Sequence, residues 1–575
     1  MILSRKRNNI LLFVTLTLLL VAFWGWGYKK MISSIPMSPP LQQFYASEET
    51  DLAVCFSEEH VLEHKTDLFI KVWKQEEAGK YYLFVPYGFK DREAYWLKSG
   101  NEEICINGEI IENGAPFLLE EGEYELMISE GSVTTLEILY SSMINTMFVE
   151  TESGLLDYIH QSKNIREKGQ YVIIDSDGYV QDRGDLAGFG GRGNASWEHT
   201  DKKSYKIILD IEKDLLGMSK NKQWILISNY YDESLIRNKV VLELAEKIGL
   251  QYTSQCQFVD LYINGEYRGN YLLTEKIEID EEHINIRDLE KEIIKINSLD
   301  VNKGFETIAV DEYMRLKTAK GIKVEKLPQD ISGGYLLELE WEARYGEELC
   351  GFITSRGQNV IVKSPEYAPI ESVLYVAERY QDFEDAIYSV DGYSPYTNKK
   401  YTDYIDMESF AKKYLLEEVA KNYDAAVTSQ YFYKPADSVS TKFFAGPAWD
   451  YDKALGAFEG VNILGLEFHI PEGIHAGIQQ FESDIWYGLC QQEEFMNYVY
   501  DEFEKEMRPA VEKIVGNIPE LANTLEKSAV MDYVRWNVFE DSGMEKKDEY
   551  YREVAFVMNF LVKRIQFLQQ EWNNE

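Results

Sequence analysis

Two hydrophobic periods divide this chain, and their order limits the folds open to it. Up to about residue 280 the apolar residues fall in short alternating or β-rich runs, such as DLFIKVW (67–73) and KYYLFVPYGF (80–89), parted by Gly, Asn and Asp turns. From about 400 onward they recur at helical spacing, in DMESFAKKYLLEEVAKNYD (406–424), EEFMNYVYDEFEKEMRPAVEKIV (493–515) and EVAFVMNFLVKRIQFLQQEW (553–572). The order is strands with one helix, then a mainly helical half, so the fold class is α+β. At 575 residues, two or three folded units are expected.

Ahead of the first strand, Arg5, Lys6 and Arg7 precede an apolar run from Ile10 to about Trp26, the length that crosses a bilayer as a helix. It reads as a membrane segment or a signal peptide. VAFWGWGYKK holds no convincing small-x-small cleavage site, and Trp24 and Trp26 suit an interfacial belt, which favours an uncleaved signal anchor. Three basic residues before the span, against Lys29 and Lys30 after it, place the N-terminus in the cytoplasm and the body outside it, in the cell envelope. The proline and serine stretch SSIPMSPP (33–40) then reads as a linker.

The formal charge is −39, which argues against a phosphate-backbone binder, since nucleic-acid binding needs a cationic footprint. It favours cations or basic partner segments. With 45% hydrophobic and 14% aromatic residues the chain is globular rather than disordered. The five cysteines are widely spaced without a CxxC pair, so zinc and a disulfide-dense scaffold are both disfavoured. No HExxH or GxSxG element is present, which sets aside the metalloprotease and serine hydrolase classes.

Between about 51 and 145 the short strands suggest a small β-sandwich. A second block follows with YVIIDSDGYV (171–180), the glycine-rich GFGGRGNASW (188–197) and KKSYKIILD (202–210), which fit two strands around a polar loop. SLIRNKVVLELAEKIGL (234–250) spaces Leu235, Val240, Val241, Leu244, Ala245 and Ile248 as a helix, with Asp232 suited to cap it. Asn264-Gly265 signals a hairpin within FVDLYINGEYRGNYLLTEKIEI (258–279). Residues 281–330 are charged and weakly patterned, and read as an insertion or surface loop.

RGNASW with KKSYKI, NYYDESLIRN, FVDLYINGEYRGNYLLTEKI, GGYLLELE, NYDAAVTSQYFY, AWDYDKALG and the RW at 535–536 stand in one order. Together they resemble the CotH kinase family, named for spore coat protein H, over about 146–575. The resemblance implies an atypical, two-lobed protein-kinase-like domain. The chain then divides into a signal anchor or transmembrane helix (1–30), a linker (31–50), a β-sandwich-like domain (51–145), an N-terminal lobe (146–335) and a mainly helical C-terminal lobe (336–575).

Phosphoryl transfer needs positive charge on the nucleotide phosphates, a metal ion bridging them and a carboxylate that orients the accepting hydroxyl. Asp450 and Asp452 can converge on a metal if the backbone turns; Mg²⁺ prefers a few carboxylates plus substrate phosphates. By resemblance Asp450 is the metal ligand and Asp452 the second. Asp424, twenty-six residues before Asp450, is by resemblance the catalytic carboxylate. The family pattern has an asparagine shortly after it as a further metal ligand; here TSQYFY stands, and Gln430 is the substitute with a longer reach. The plain structural alternatives are an Asx-turn at Asp450 and an exposed acid at a helix end for Asp424.

For the phosphates, Arg192 lies among glycines where backbone can approach an anion, and Lys203 lies in a predicted strand. Lys202 and Lys206 are rivals to Lys203, and alternation puts Lys203 opposite both. Glu275, at a family-typical position, is the candidate acidic partner of the lysine, beside Glu243, Glu246 and Glu338. The expected cofactors are ATP with Mg²⁺ or Mn²⁺. The expected acceptor is a Ser or Thr hydroxyl of a cell-envelope or spore-coat-type protein, in a basic segment. The rival is a non-catalytic assembly or surface-binding protein that keeps the fold, and a glycan-binding surface protein is a third reading.

Overall fold

A computed structural model describes residues 38–47, 50–56, 68–90, 92–129, 133–461, 465, 467–539 and 542–573. The apolar run expected as a signal anchor lies outside the described residues, and among those described no helix is long and apolar enough to cross a membrane. Within the stretch read as a linker, Pro39–Ala46 is helical. Proline at the first helical position loses no intrahelical bond there, and Leu41 and Phe44 bury against the first β layer.

Strands between Leu52 and Tyr140 form a four-stranded and a six-stranded sheet. Val54, Ile70 and Trp96 of the first share one hydrophobic cluster with Leu83, Phe84 and Ile138 of the second. This is the sandwich-like packing that alternating strands predict.

The next seven strands close into a barrel, ordered Asn145–Thr151, Glu167–Ile174, Val180–Arg192, Ser204–Lys213, Asn221–Ile227, Glu266–Glu275 and Cys256–Ile263. Parallel pairing of Asn145 with Val259 through Val149 with Ile263 makes the closure. Tyr205, Ile207 and Leu209 point inward with Phe189, Trp224 and Leu273, so the barrel is filled rather than hollow. Asn264 and Gly265 turn the last hairpin with φ of 52° and 81°, the two positive values a tight two-residue turn demands.

The helix expected after Asp232 runs Arg237–Lys247, with the shorter helices Leu156–His160 and Ala195–Glu198 before it, and Asp232 does not cap it from the adjacent position. Its carboxylate reaches forward to the Arg237 N–H at 2.7 Å and pairs with the same residue's guanidinium.

Residues 281–330, expected as a loop, hold the helix Leu289–Asn297 and the strands Thr307–Asp311 and Thr318–Ile322. Asp288 caps that helix through the Lys291 N–H. The two strands open a seven-stranded sheet that continues through Gly351–Ile353, Asn359–Ser364, Tyr335–Leu339, Gln430–Lys434 and Phe444–Ala445. Against it pack the helices Ile370–Ile387 and Met407–Ala420, and beyond them lie the long helices Arg508–Trp536 and Lys546–Asn573. The Met407–Ala420 helix is buried from Ser409 to Ala420 although it carries Lys412, Lys413, Glu417 and Glu418. Buried charges must be paired, and these position the site.

Candidate active site

The Met407–Ala420 helix stops at Lys421, a left-handed residue with φ of 48°. Its ammonium donates to the carbonyls of Glu467, Ile470 and Glu472 at 2.7–2.8 Å, and burial pulls its pKa down to about 8. The chain then turns through Asn422. The Asn422 amide donates to Glu417 Oε2 at 2.8 Å, and its oxygen accepts from the Asp424 N–H at 3.3 Å. Asp424 is thus fixed by the helix that precedes it, and its own carbonyl accepts from Val427 and Thr428.

The second segment is locked to the same helix. Asp450 has φ of 68°, a conformation rare outside glycine that aspartate tolerates and that is retained where the surroundings enforce it. Three contacts enforce it. Ser429 Oγ donates to Asp450 Oδ2 at 3.0 Å, the Tyr451 N–H donates to Asn238 Oδ1 at 2.8 Å, and the Tyr451 hydroxyl donates to Glu417 Oε1 at 2.6 Å. Lys413 completes the buried group by pairing with Glu417 and donating to the Tyr451 hydroxyl. NYYDESLIRN is the frame behind it: Asn238 donates to Asn229, and Arg237, held by Asp232, donates to the Leu455 carbonyl.

The electrostatics follow. Burial raises the Asp424 carboxyl well above the usual range, and the neighbouring Asp450 adds to it, opposed by Lys453. Asp452 is raised to about 7 by burial and then by Asp450, with Lys453 and Arg192 opposing. The Arg192 guanidinium lies 5.5 Å over the Trp449 ring, and the Lys453 ammonium lies over Tyr231 at 4.6 Å and Tyr423 at 5.5 Å. Neither cation makes an ion pair among the described residues. Glu340, which accepts from Thr428 Oγ1 at 2.6 Å, adds another carboxylate. Acid exceeds base here, and added positive charge would relieve it.

A divalent ion fits this donor set. Asp450 and Asp452 would hold it, with coordination left open for phosphate oxygens, as Mg²⁺ prefers. Among the described residues the one tight group of three potential ligands is elsewhere, at Glu278, Asp280 and His283. There Asp280 takes one imidazole nitrogen at 2.7 Å and Asn221 the other at 3.1 Å.

Of the expected phosphate ligands, Arg192 and Lys206 share a face. Gly190 pairs with Lys206 and Arg192 with Ser204 across adjacent strands, which puts both side chains on the outer surface of the barrel. Lys206 is half-buried and makes no ion pair among the described residues. Burial, with Lys276 and Arg166 nearby, lowers it to about 8. Lys203 has the parity of inward-facing Tyr205, and its ammonium donates to the Trp197 carbonyl at 2.6 Å. Lys202 is buried against Asp532 at 2.6 Å.

Glu275 accepts from the N–H groups of Ser219 at 2.8 Å and Gln255 at 3.0 Å, and pairs with no lysine among the described residues. Glu243 pairs with Lys239, and Glu338 with Lys363. Gln430 is fully buried with neither amide atom hydrogen-bonded. Alternation puts it on the side of Phe432, which stacks on Phe410, whereas Tyr431 faces the Glu338 side. Its neighbour Ser429 is the residue that reaches Asp450. The glycine passage is strand, not an anion loop: a Cβ at Gly191 would meet the Trp197 ring at 2.1 Å, so glycine is needed there for packing.

Sequence reasoning missed Ser429, Lys453, Asn238 and the Lys413–Glu417 pair. Only Lys453 carried a local signal, as the basic residue directly after the aspartate pair. No curated protein matches the chain. The model of the CotH kinase protein family matches residues 190–568, about two thirds of the length. That match takes in every element that holds Asp424, Asp450 and Asp452, and the chain belongs to the CotH kinase family.

Proposed function

We propose that this protein transfers the γ-phosphoryl group of ATP to a Ser or Thr hydroxyl of another protein. The observation that carries the reading is the convergence of Asp424, Asp450 and Asp452 beside Arg192 and Lys453, cations without an ion pair among the described residues. A bound Mg²⁺ or Mn²⁺ supplies charge neutralisation on the transferring phosphates. Arg192 and Lys206, on one face of the barrel, hold phosphate oxygens. Asp424 orients the acceptor hydroxyl and takes its proton. Positive charge at Asp450 and Asp452 lowers the proton affinity of Asp424 and leaves it ionised. Lys453, against two tyrosine rings, keeps the carboxylates apart from one another's charge.

The excess of acid in the chain, 98 Asp and Glu against 59 Lys and Arg, suits a basic acceptor segment. The apolar N-terminal run supports a membrane-anchored body outside the cytoplasm, acting on envelope or spore-coat-type proteins. The test is a thermal shift of the chain with ATP and Mg²⁺ or Mn²⁺, with Asp450→Ala alongside, followed by radiolabelled transfer. A metal-dependent shift lost in Asp450→Ala, with label on an acceptor, supports the kinase. Gln430 turned from the aspartates favours a second reading, a non-catalytic assembly protein; nucleotide binding without transfer would select it.

A further inference from the structure

The RW pair at 535–536 lies on the Arg508–Trp536 helix and takes no part in the site above. It joins three parts of the molecule. The Arg535 guanidinium lies over the Trp73 ring of the β layers at 4.7 Å and over the Trp536 ring at 4.5 Å, and Arg268 of the barrel covers the Trp536 ring at 4.9 Å. Such a ladder fixes the plane of the fork, since cations favour aromatic faces. Arg535 Nε donates to the Tyr267 carbonyl at 3.1 Å. Its terminal nitrogens have no hydrogen-bond or ion-pair partner among the described residues. Burial and neighbouring Arg268 pull this guanidinium down to about 10. Glu266, the nearest acid, is engaged at 3.7 Å by both Arg268 and Lys71.

Arg535 lines a cavity of about 540 Å³ between the β layers and the barrel. Trp73 and Tyr81 supply aromatic wall, and Asp51 and Glu76 lie at the rim, Glu76 paired with Lys74 at 2.6 Å. A planar, pre-ordered guanidinium without a carboxylate is a fork for a bidentate anion. Aromatic faces beside carboxylates that accept hydroxyls suit a sugar ring.

We propose that this cavity binds a sugar bearing an acid group, carboxylate or phosphate, with Arg535 on the acid and Trp73 against the ring. The site is separate from phosphoryl transfer and stands or falls without it. It gives the β layers, which lie outside the family match, a role in holding the enzyme on an acidic glycan.

The test is calorimetric titration of the full chain with glucuronate, glucose 6-phosphate and glucose. At least one acidic sugar is expected to bind roughly tenfold or more tightly than glucose, and the better of the two identifies the acid. Arg535→Gln should reduce that binding to the level of glucose, and Arg535→Lys should recover only part of it. Because Arg535 joins three parts, Arg535→Gln also loses packing that holds them together, so Glu76→Gln at the exposed rim is the second variant. It removes a like charge and releases Lys74 from its ion pair while keeping an amide oxygen to accept a hydroxyl, and should tighten the acidic sugar about twofold. Absence of acidic-sugar binding in the wild type overturns the proposal. So does equal binding of all three sugars, or an affinity that Glu76→Gln leaves unchanged.

Discussion

The Tyr451 hydroxyl donates to Glu417 Oε1 at 2.6 Å, while Asn422 takes the other oxygen of the same carboxylate at 2.8 Å. One buried glutamate therefore sets the position of both chain segments that carry the aspartates. Lys413 balances its charge, and all of Lys413, Glu417 and Tyr451 are fully buried.

Glu417→Ala leaves Lys413 buried without its partner and should cost about 3–5 kcal/mol. Tyr451→Phe loses only the hydroxyl bonds and should cost about 1–2 kcal/mol, yet it frees the turn between Asp450 and Asp452. Denaturant melts should rank the two in that order. Metal-dependent ATP affinity should fall in Tyr451→Phe by more than its stability loss would explain.

Asp450→Asn removes a like charge that raises both Asp424 and Asp452. The unliganded chain should therefore melt higher at pH 7, by the order of 1 kcal/mol, because the carboxylates left behind ionise more readily. The same variant should lose its metal-dependent thermal shift with ATP. A lower melt with the shift retained would make Asp450 a structural residue.

The lysines should separate by face. Lys206→Ala, on the outer surface beside Arg192, should raise the Kd for ATP by about tenfold with little change in the melt. Lys203→Ala frees the Trp197 carbonyl and should lower the melt while leaving ATP affinity near that of wild type. Equal losses of affinity would place the phosphates between the two faces and contradict this division.

Asp260 gives the pH dependence. It is buried where barrel, β layers and the Arg508–Trp536 helix meet, and accepts from Ser141, from Ser528 at 2.6 Å and from Tyr267 at 3.2 Å. Burial is the largest influence and raises it from 3.8 to about 6, against those hydroxyls. A raised folded pKa means the folded state keeps a proton that the unfolded chain releases. The contribution is full below about pH 4 and fades as pH rises to about 6, over a range worth roughly 3 kcal/mol. Chemical denaturation across pH 4–7 should show this fall in wild type and not in Asp260→Asn.

How far the sequence foretold this depends on the distance over which each feature is determined. The change of period near residue 400 placed the helical half, and Asn264-Gly265 placed its hairpin, because both are local. Closure of the barrel rests on Asn145–Thr151 meeting Cys256–Ile263, a pairing of strands over a hundred residues apart that neither strand announces. The strands at 307–322 were not legible because each is five residues long, the first has no buried residue, and the second buries Ala319, Gly321 and Ile322 without a regular alternation. At the site, the WDYD motif marked the aspartates. Ser429 and Glu417 were not legible, since their partners are fixed only when the sheet and the central helix come together.

Gln430 offers the sharpest contrast between motif and geometry. The family pattern places an asparagine near this point, yet here the amide is buried with neither polar atom hydrogen-bonded and faces the side of Phe432. An unsatisfied buried amide costs about 1–3 kcal/mol, which an apolar side chain of similar shape recovers. Gln430→Met should therefore stabilise the chain by that order and leave metal-dependent ATP binding unchanged. Ser429→Ala should weaken that binding, because it removes the hydroxyl that holds Asp450 Oδ2 at 3.0 Å. Loss of ATP binding in Gln430→Met, with Ser429→Ala unaffected, would return the ligand role to the glutamine and require the start of the Gln430–Lys434 strand to turn over when nucleotide binds.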